Sequence, residues 1–267
     1  MRGYPEVSLS TPFIMYCVFA FLFGAVVGSF LNVCICRMPG NESVVFPPSH
    51  CTKCDYVIRW YDNIPILSYL LLKGRCRRCG ERISLQYPLV ELLNGALSLA
   101  LFLKFGPGFV FAVLFVFCSA LVVVTFIDLE HQIIPDAITL PGIVAGFIVS
   151  FFIPQLGWLN SLIGIVAGGG SLLVVAYGYQ LVAKKDGMGG GDVKLLAMMG
   201  AFLGWKAILF IIFSASLLGS VIGVSLMLAQ KKDGSLAIPF GPFLASGAIL
   251  YIFYGRKIIY WYLSMGS

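Results

Sequence analysis

Two sets of residues in this chain have the types and spacing to do chemistry: a few aspartates beside apolar runs, and four paired cysteines. Asp128 lies in Thr-Phe-Ile-Asp-Leu-Glu-His-Gln-Ile-Ile-Pro-Asp, and Asp192 follows Gly-Met-Gly-Gly-Gly and precedes Val-Lys-Leu-Leu. Ionisable groups at membrane helices are costly and mark function by default, although helix ends cost less than centres. Two carboxylates that share a water cannot both ionise easily, so one takes a proton from water while the other protonates a carbonyl. That is the chemistry of an aspartyl peptidase. Gly189, Gly190 and Gly191 would let backbone approach a substrate strand closely, because no Cβ stands in the way. Residue chemistry alone leaves competitors. Glu130 and Asp136 are nearby carboxylates, Asp136 and Asp192 could simply cap helices, and His131 reads as an interfacial residue.

The cysteines are Cys51-x2-Cys54 and Cys76-x2-Cys79, with 21 residues between the pairs. Two such knuckles bring four thiolates within reach of one tetrahedral Zn²⁺, as in a structural zinc ribbon. Lys53, Arg75, Arg77, Arg78 and Arg82 surround them and would favour the anionic centre. Disulfides are the competing reading, and a reducing cytoplasm argues against them. Four thiolate ligands leave no open position, so the metal is expected to be structural. A loop of this size has little core, and metal binding would supply much of its folding energy. Cys17, Cys34, Cys36 and Cys118 lie in apolar runs and read as small buried hydrophobes.

The elements that must position these groups are helices in a bilayer. Of 267 residues, 59% are hydrophobic and 11% charged, where soluble domains carry about 25% charged. Eight apolar runs, at 12–36, 86–105, 108–128, 137–153, 158–183, 193–205, 207–229 and 239–255, are candidate spans. The expected fold is an all-α polytopic membrane protein of about eight transmembrane helices with a small cytoplasmic zinc-ribbon-like domain. The sixth run is short: about 13 residues rise about 20 Å, against a hydrocarbon core of about 30 Å. The first run lacks a basic start and a small-residue cleavage site, so it reads as a helix and not a cleaved signal. With the amino terminus outside, the loops 37–85, 129–136, 184–194 and 230–238 face the cytoplasm and hold 13 of the 18 Lys and Arg, as the positive-inside rule requires. The division is 1–36, a first transmembrane helix; 37–85, the zinc-binding loop domain; and 86–267, the helices carrying the aspartates. The net charge of +6 therefore marks topology, and no nucleic-acid partner is expected.

Beyond these patterns, the chain resembles the type IV prepilin peptidases, or leader peptidase/N-methyltransferases. The likeness runs through Gly28-Ser-Phe-Leu-Asn-Val33, Arg37-Met-Pro39, the four cysteines, Asn63-Ile-Pro-Ile-Leu-Ser-Tyr69, Tyr87-Pro-Leu-Val-Glu91, Ile134-Pro-Asp136, Gly189-x-Gly-Asp192 and Ile238-Pro-Phe-Gly-Pro242. The resemblance, and not spacing, selects Asp128 over Asp136 as partner to Asp192 in a GxGD-type site, with Gly189 and Gly191 in its loop. It implies cleavage of a basic leader from type IV prepilins or type II secretion pseudopilins at the inner bacterial membrane. The new terminal amine would then be methylated with S-adenosylmethionine, by the amino-terminal portion that includes 37–85. No glycine-rich dinucleotide fingerprint follows a strand, so the methyl donor needs another pocket. Asn32, Arg37, Asn63, Tyr87 and Glu91 are candidates for it, as polar positions in the matching motifs.

Two other classes of function compete. A transporter would need a continuous polar path, yet the acidic residues gather toward one surface. A membrane-tethered zinc-ribbon binding module would make the aspartates mere caps. Gly164-x3-Gly168 and Gly219-x3-Gly223 put small residues on one helix face and are expected to serve internal packing. Oligomeric state is not legible.

Overall fold

A computed structural model describes residues 11–183, 189–230 and 238–255, with isolated positions from 257 on. Each of the eight apolar runs forms a helix: α1 Thr11–Arg37, α3 Gln86–Phe105, α4 Phe109–His131, α5 Asp136–Ser150, α6 Trp158–Ala183, α7 Gly190–Leu203, α8 Trp205–Gln230 and α9 Gly241–Leu250. A short α2, Leu67–Leu71, lies in the polar loop, and α9 widens into a π-turn over Tyr251–Gly255. No extended strand occurs among the described residues. The all-α expectation holds. By length and composition α1, α3, α4, α6 and α8 can each cross a membrane unaided, while α5 and α9 are shorter apolar helices. The protein is a multi-pass membrane protein, with five clear spans among the described residues. The basic loop residues at 184–188 and 231–237 lie outside the described residues.

Two compact units divide the chain within α4, between Ser119 and Ala120, apart from Met38–Gly40, which group with the second. In the first unit α1 packs along α3, and small residues make this possible. A Cβ on Gly24 would lie 2.5 Å from Ser98 Cβ, and one on Gly28 would lie 2.8 Å from the Cα of Glu91. Side chains then bind the helices through backbone carbonyls: Asn94 donates to Gly24 O (2.7 Å) and Ser98 to Ala20 O (2.7 Å). In an apolar surround such bonds satisfy groups that would otherwise be costly. This Gly24-x3-Gly28 face was a missed packing signal.

The second unit is organised around α7. Leu195 to Ala201 are all buried, and α5, α6, α8 and α9 contact this helix. Gly164 and Gly168 of α6 meet the backbone of Gly200 and Leu196 so closely that a Cβ would lie 2.3–2.5 Å from their carbonyl oxygens. The first glycine pair is an internal contact, as expected. Gly219 and Gly223 show only ordinary contact distances, to Phe243 and Ile238. The brevity of α7 follows from the same picture. Its 14 residues rise about 21 Å, and its buried run faces protein, so bilayer thickness does not set its length. It ends at Gly204, whose positive φ of 79° turns the chain directly into α8.

Candidate active site and metal centre

The carboxylates come together at the ends of three helices in the second unit. Asp128 sits in the last turn of α4, which stops when Gln132 adopts a left-handed φ of 55° and its N–H caps Asp128 O (2.9 Å). Its side chain is only 5% exposed. The Gly241 N–H, in the first turn of α9, donates to Asp128 Oδ2 at 2.9 Å. A Cβ on residue 241 would lie 2.6 Å from that oxygen, so this close approach needs glycine. The donor also comes from the positive end of a helix, which suits a carboxylate. Sequence reading quoted Gly241 only as part of a motif. Its role depends on a contact 113 residues away, and no local pattern reports it.

Asp192 lies in the first turn of α7, but it does not cap the helix. The N-cap is Gly189 and makes no side-chain capping bond. Instead Asp192 Oδ1 is buried without a hydrogen-bond partner among the described residues, and Asp128 is close enough for its charge to act on it. Of the glycines in this loop, Gly191 has the evident steric duty: a Cβ there would lie 2.8 Å from Ile134 Cβ. Gly189 and Gly190 have no such crowding and no positive φ.

The competing carboxylates are occupied elsewhere. Lys194 Nζ reaches both oxygens of Asp136, at 2.8 and 2.7 Å, and Asp136 is exposed. It is also the first residue of α5 and not its cap; Pro135 holds the cap position. Glu130 is exposed beside His131, 3.9 Å away. Burial thus separates Asp128 from its neighbours, which spacing could not do.

The four cysteines form a second centre, in the first unit. Each knuckle has the same backbone wiring. Cys51 N–H donates to Tyr56 O (2.9 Å) and Asp55 N–H to Cys51 O (3.0 Å); Cys76 N–H donates to Glu81 O (2.8 Å) and Gly80 N–H to Cys76 O (3.0 Å). The fifth residue of each, Asp55 and Gly80, has positive φ. Antiparallel bridges His50–Val57 and Arg75–Arg82 close the two loops. All four sulfurs lie within 4.8 Å of one another, with Cys51–Cys79 at 3.8 Å and Cys54–Cys76 at 4.0 Å. A tetrahedron with Zn–S of about 2.3 Å has S···S edges of about 3.8 Å. The donor set therefore fits a metal ion. The N–H groups of Cys79 and Arg78 pull the Cys76 thiol down to about 7, so a thiolate forms readily there.

The basic residues divide their duties. Lys53 pairs with Glu81 across the two knuckles, and Glu81 is held below the usual carboxylate range by the Lys53 hydrogen bond and charge. Arg77 Nε donates to both oxygens of Asp62, each at 2.9 Å. Both cations bind carboxylates, and the charge of Lys53 also acts on Cys79 and Cys51, as the sequence suggested. Of the remaining cysteines, Cys34 and Cys118 are buried as expected. Cys36 is not: it is exposed, 3.6 Å from Tyr87 Oη.

The five polar candidates in the amino-terminal motifs, Asn32, Arg37, Asn63, Tyr87 and Glu91, all line one cavity of about 560 Å³. That is the size of a small-molecule site. Buried Asn32 donates to Tyr87 O at 3.0 Å, and Arg37 Nη1 donates to Ser43 O at 3.0 Å. Glu91 accepts from the Ile66 N–H at 2.7 Å. Ile66 has φ 62° and ψ −49°, and Leu67 N–H bonds to Pro65 O at 2.5 Å. This is a three-residue turn with a positive-φ centre, rare and strained for a β-branched residue. The buried Glu91 carboxylate is what holds it.

Fold and sites together define a polytopic membrane protein with buried Asp128 beside partly buried Asp192, and with four thiols placed to hold a metal ion. Compared with known proteins, residues 22–105 match the Bacterial Peptidase A24 N-terminal domain and residues 115–224 match the Type IV leader peptidase family. The Aeromonas salmonicida protein named prepilin leader peptidase/N-methyltransferase is 36% identical over 275 residues, covering 94% of each chain. Its Aeromonas hydrophila namesake is 37% identical over 274 residues at the same coverage. The Myxococcus xanthus protein of that name is 42% identical over 220 residues, 82% of this chain and 66% of the relative. No solved structure matches. The chain belongs to the type IV leader peptidase family and is an enzyme of that family.

Proposed function

We propose that the chain is an aspartyl endopeptidase of the bacterial inner membrane that removes the basic leader from type IV prepilins or type II secretion pseudopilins. It then methylates the new terminal amine. The observation that carries the peptidase reading is that buried Asp128 and the buried Oδ1 of Asp192 lie close enough to interact, with Asp136 tied to Lys194. The pair holds one proton between its carboxyl groups. The charged member removes a proton from a water, which adds to the scissile carbonyl while the neutral member protonates the carbonyl oxygen. Collapse breaks the C–N bond, and a carboxyl proton goes to the leaving amine. Oδ1 of Asp192, buried and without a partner among the described residues, suits the water. The Gly241 N–H orients Asp128 for its part.

The sulfur tetrahedron supports a structural Zn²⁺ held by Cys51, Cys54, Cys76 and Cys79, which stiffens the loop 37–85. For the methyl donor, S-adenosylmethionine, the cavity around Asn32, Arg37, Asn63, Tyr87 and Glu91 offers fitting volume, tyrosine rings and a buried acid. When bound, the donor supplies an electrophilic methyl on a sulfonium. Glu91 would act on it mainly by fixing the Ile66 turn in the cavity wall, and Asn32 by tying α1 to the start of α3. The basic loops support a cytoplasmic placement of 37–85, Asp128 and Asp192. A leader retained in the cytoplasm would bring its cleavage site to that depth.

The test is to incubate purified enzyme with a prepilin and labelled S-adenosylmethionine, following leader loss and label transfer separately. Wild type should do both. Wild-type cleavage by both Asp128→Asn and Asp192→Asn would falsify the dyad, and cleavage without transfer would remove the second activity alone.

A further inference from the structure

Beside the polar cavity of the first unit runs a second space of about 640 Å³ with different walls. The two share Ser29, Val33, Arg37, Ser49, Asn63 and Ile64. Beyond that common wall the groove is lined by Val26, Phe30, Val45, Pro47, Trp60 and similar side chains, none of them charged. It climbs α1 from Arg37 to Val26, 11 residues, which is about 16 Å of helix. α1 is one of the clear spans, so the groove reaches from the span's carboxyl-terminal end toward the hydrocarbon. Val26 and Phe30 are exposed on the same helix, and Trp60, 81% exposed, is part of the groove wall. Tryptophan favours membrane–water interfaces.

The juxtaposition is of two spaces of opposite polarity meeting at one wall, where Ser29 Oγ donates to Asn63 Oδ1 at 3.4 Å. A transferase that methylates the end of a membrane-anchored peptide has this same division among its ligands. Its donor is polar and comes from water. Its acceptor amine is attached to apolar residues that stay in the bilayer. We infer that the groove is the acceptor subsite: it takes the apolar residues following the cut and sets their terminal amine at the wall shared with the donor cavity. This rests on the methyltransferase reading of that cavity. In the transfer the neutral amine forms the N–C bond as the C–S bond of the sulfonium breaks. The electron pair stays on sulfur, and the positive charge passes to the nitrogen as a secondary ammonium. Phe30, Val45 and Trp60 then set which first residue is accepted.

Two measurements test it on the full-length enzyme in phospholipid vesicles. A photo-crosslinking amino acid is placed at Phe30, Val45 or Trp60, with exposed Leu89 of α3, outside the groove lining, as control, and a processed pilin peptide is supplied. Crosslinks from the three groove positions, but not from Leu89, to the first residues of the peptide are expected. Crosslinks to phospholipid alone would mean a lipid-filled groove and overturn the proposal. This readout needs no methyl transfer, so it judges the groove even where the donor-site reading fails. The second measurement compares acceptors beginning with Ala, Leu or Phe on Val45→Trp enzyme. The KM for the Phe acceptor should rise about tenfold or more and that for Ala least, with donor affinity and leader cleavage unchanged. An equal change for all three acceptors, or none, would count against the groove as a specificity site.

Discussion

The thiol cluster and the carboxylate pair solve the same problem, holding like groups close together, in opposite ways. Each half of the cluster is made within a few residues by the same turn: an amide to the carbonyl five residues on, and a return bond from the positive-φ residue before it. Only the joining of the two knuckles is longer in range, 22 to 28 residues between facing sulfurs. The pair has no such local frame. Asp128 ends α4 and Asp192 begins α7, and the amide that orients Asp128 begins α9. The cluster lies near the surface, where a bound metal ion would balance its charge; the pair sits at helix ends, where a backbone N–H meets the Asp128 carboxylate. Local wiring suits a structural centre. A site assembled from three helices can be tuned, and damaged, from far away.

The largest expected effect tests whether the pair acts as one device. Asp128→Asn and Asp192→Asn should each slow prepilin cleavage by about a thousandfold or more, and the double variant should be little worse. Metal content should be unchanged in all three. Next comes the independence of the two regions. Cys76→Ser should lose bound zinc and cut methyl transfer by about a hundredfold, because the loop depends on metal for its fold. Leader cleavage should stay within about threefold; a parallel collapse would show that the regions are coupled.

Gly241→Ala probes how far the pair depends on distant backbone. The added Cβ would meet Asp128 Oδ2 at 2.6 Å, and displacement of that carboxyl should cost cleavage about ten- to a hundredfold in kcat, with helix content by circular dichroism retained. Asp136→Asn should cost less than about threefold, since an exposed ion pair is worth little; a loss equal to that of Asp128→Asn would break the assignment of the pair. The smallest effect belongs to Glu81→Gln, read as zinc retention against pH. Glu81 has a lowered folded pKa, so its contribution is present above the ordinary carboxylate range. It is lost as pH falls through the lowered value. Wild type should therefore hold zinc slightly better near neutrality, and the two should converge in acid.

Legibility followed the same divide. All eight helices were readable, because long apolar runs bounded by polar, Gly- or Pro-bearing loops have few other fates in a membrane chain. The C-x2-C pairs were readable because a knuckle needs only its own neighbours. The aspartates were harder. Spacing could not separate Asp128 from Asp136, since both sit near a predicted helix end, and the family likeness was needed to choose. The structure supplies a physical difference: Lys194 reaches Asp136 from a helix turn 58 residues on, and Gly241 reaches Asp128 from 113 residues on. Cys36 was misjudged for a related reason. An apolar run does not say which face meets solvent.

By itself the sequence determined the membrane class, the helices and the two knuckles, because hydropathy and short-range hydrogen bonding act over a turn or two of chain. Tertiary structure decided which carboxylate is buried beside Asp192. It decided too that Gly241 has no room for a side chain, and that five scattered polar residues share a cavity. Those facts depend on how helices pack, and close packing is settled by the shapes of partners far apart in the chain.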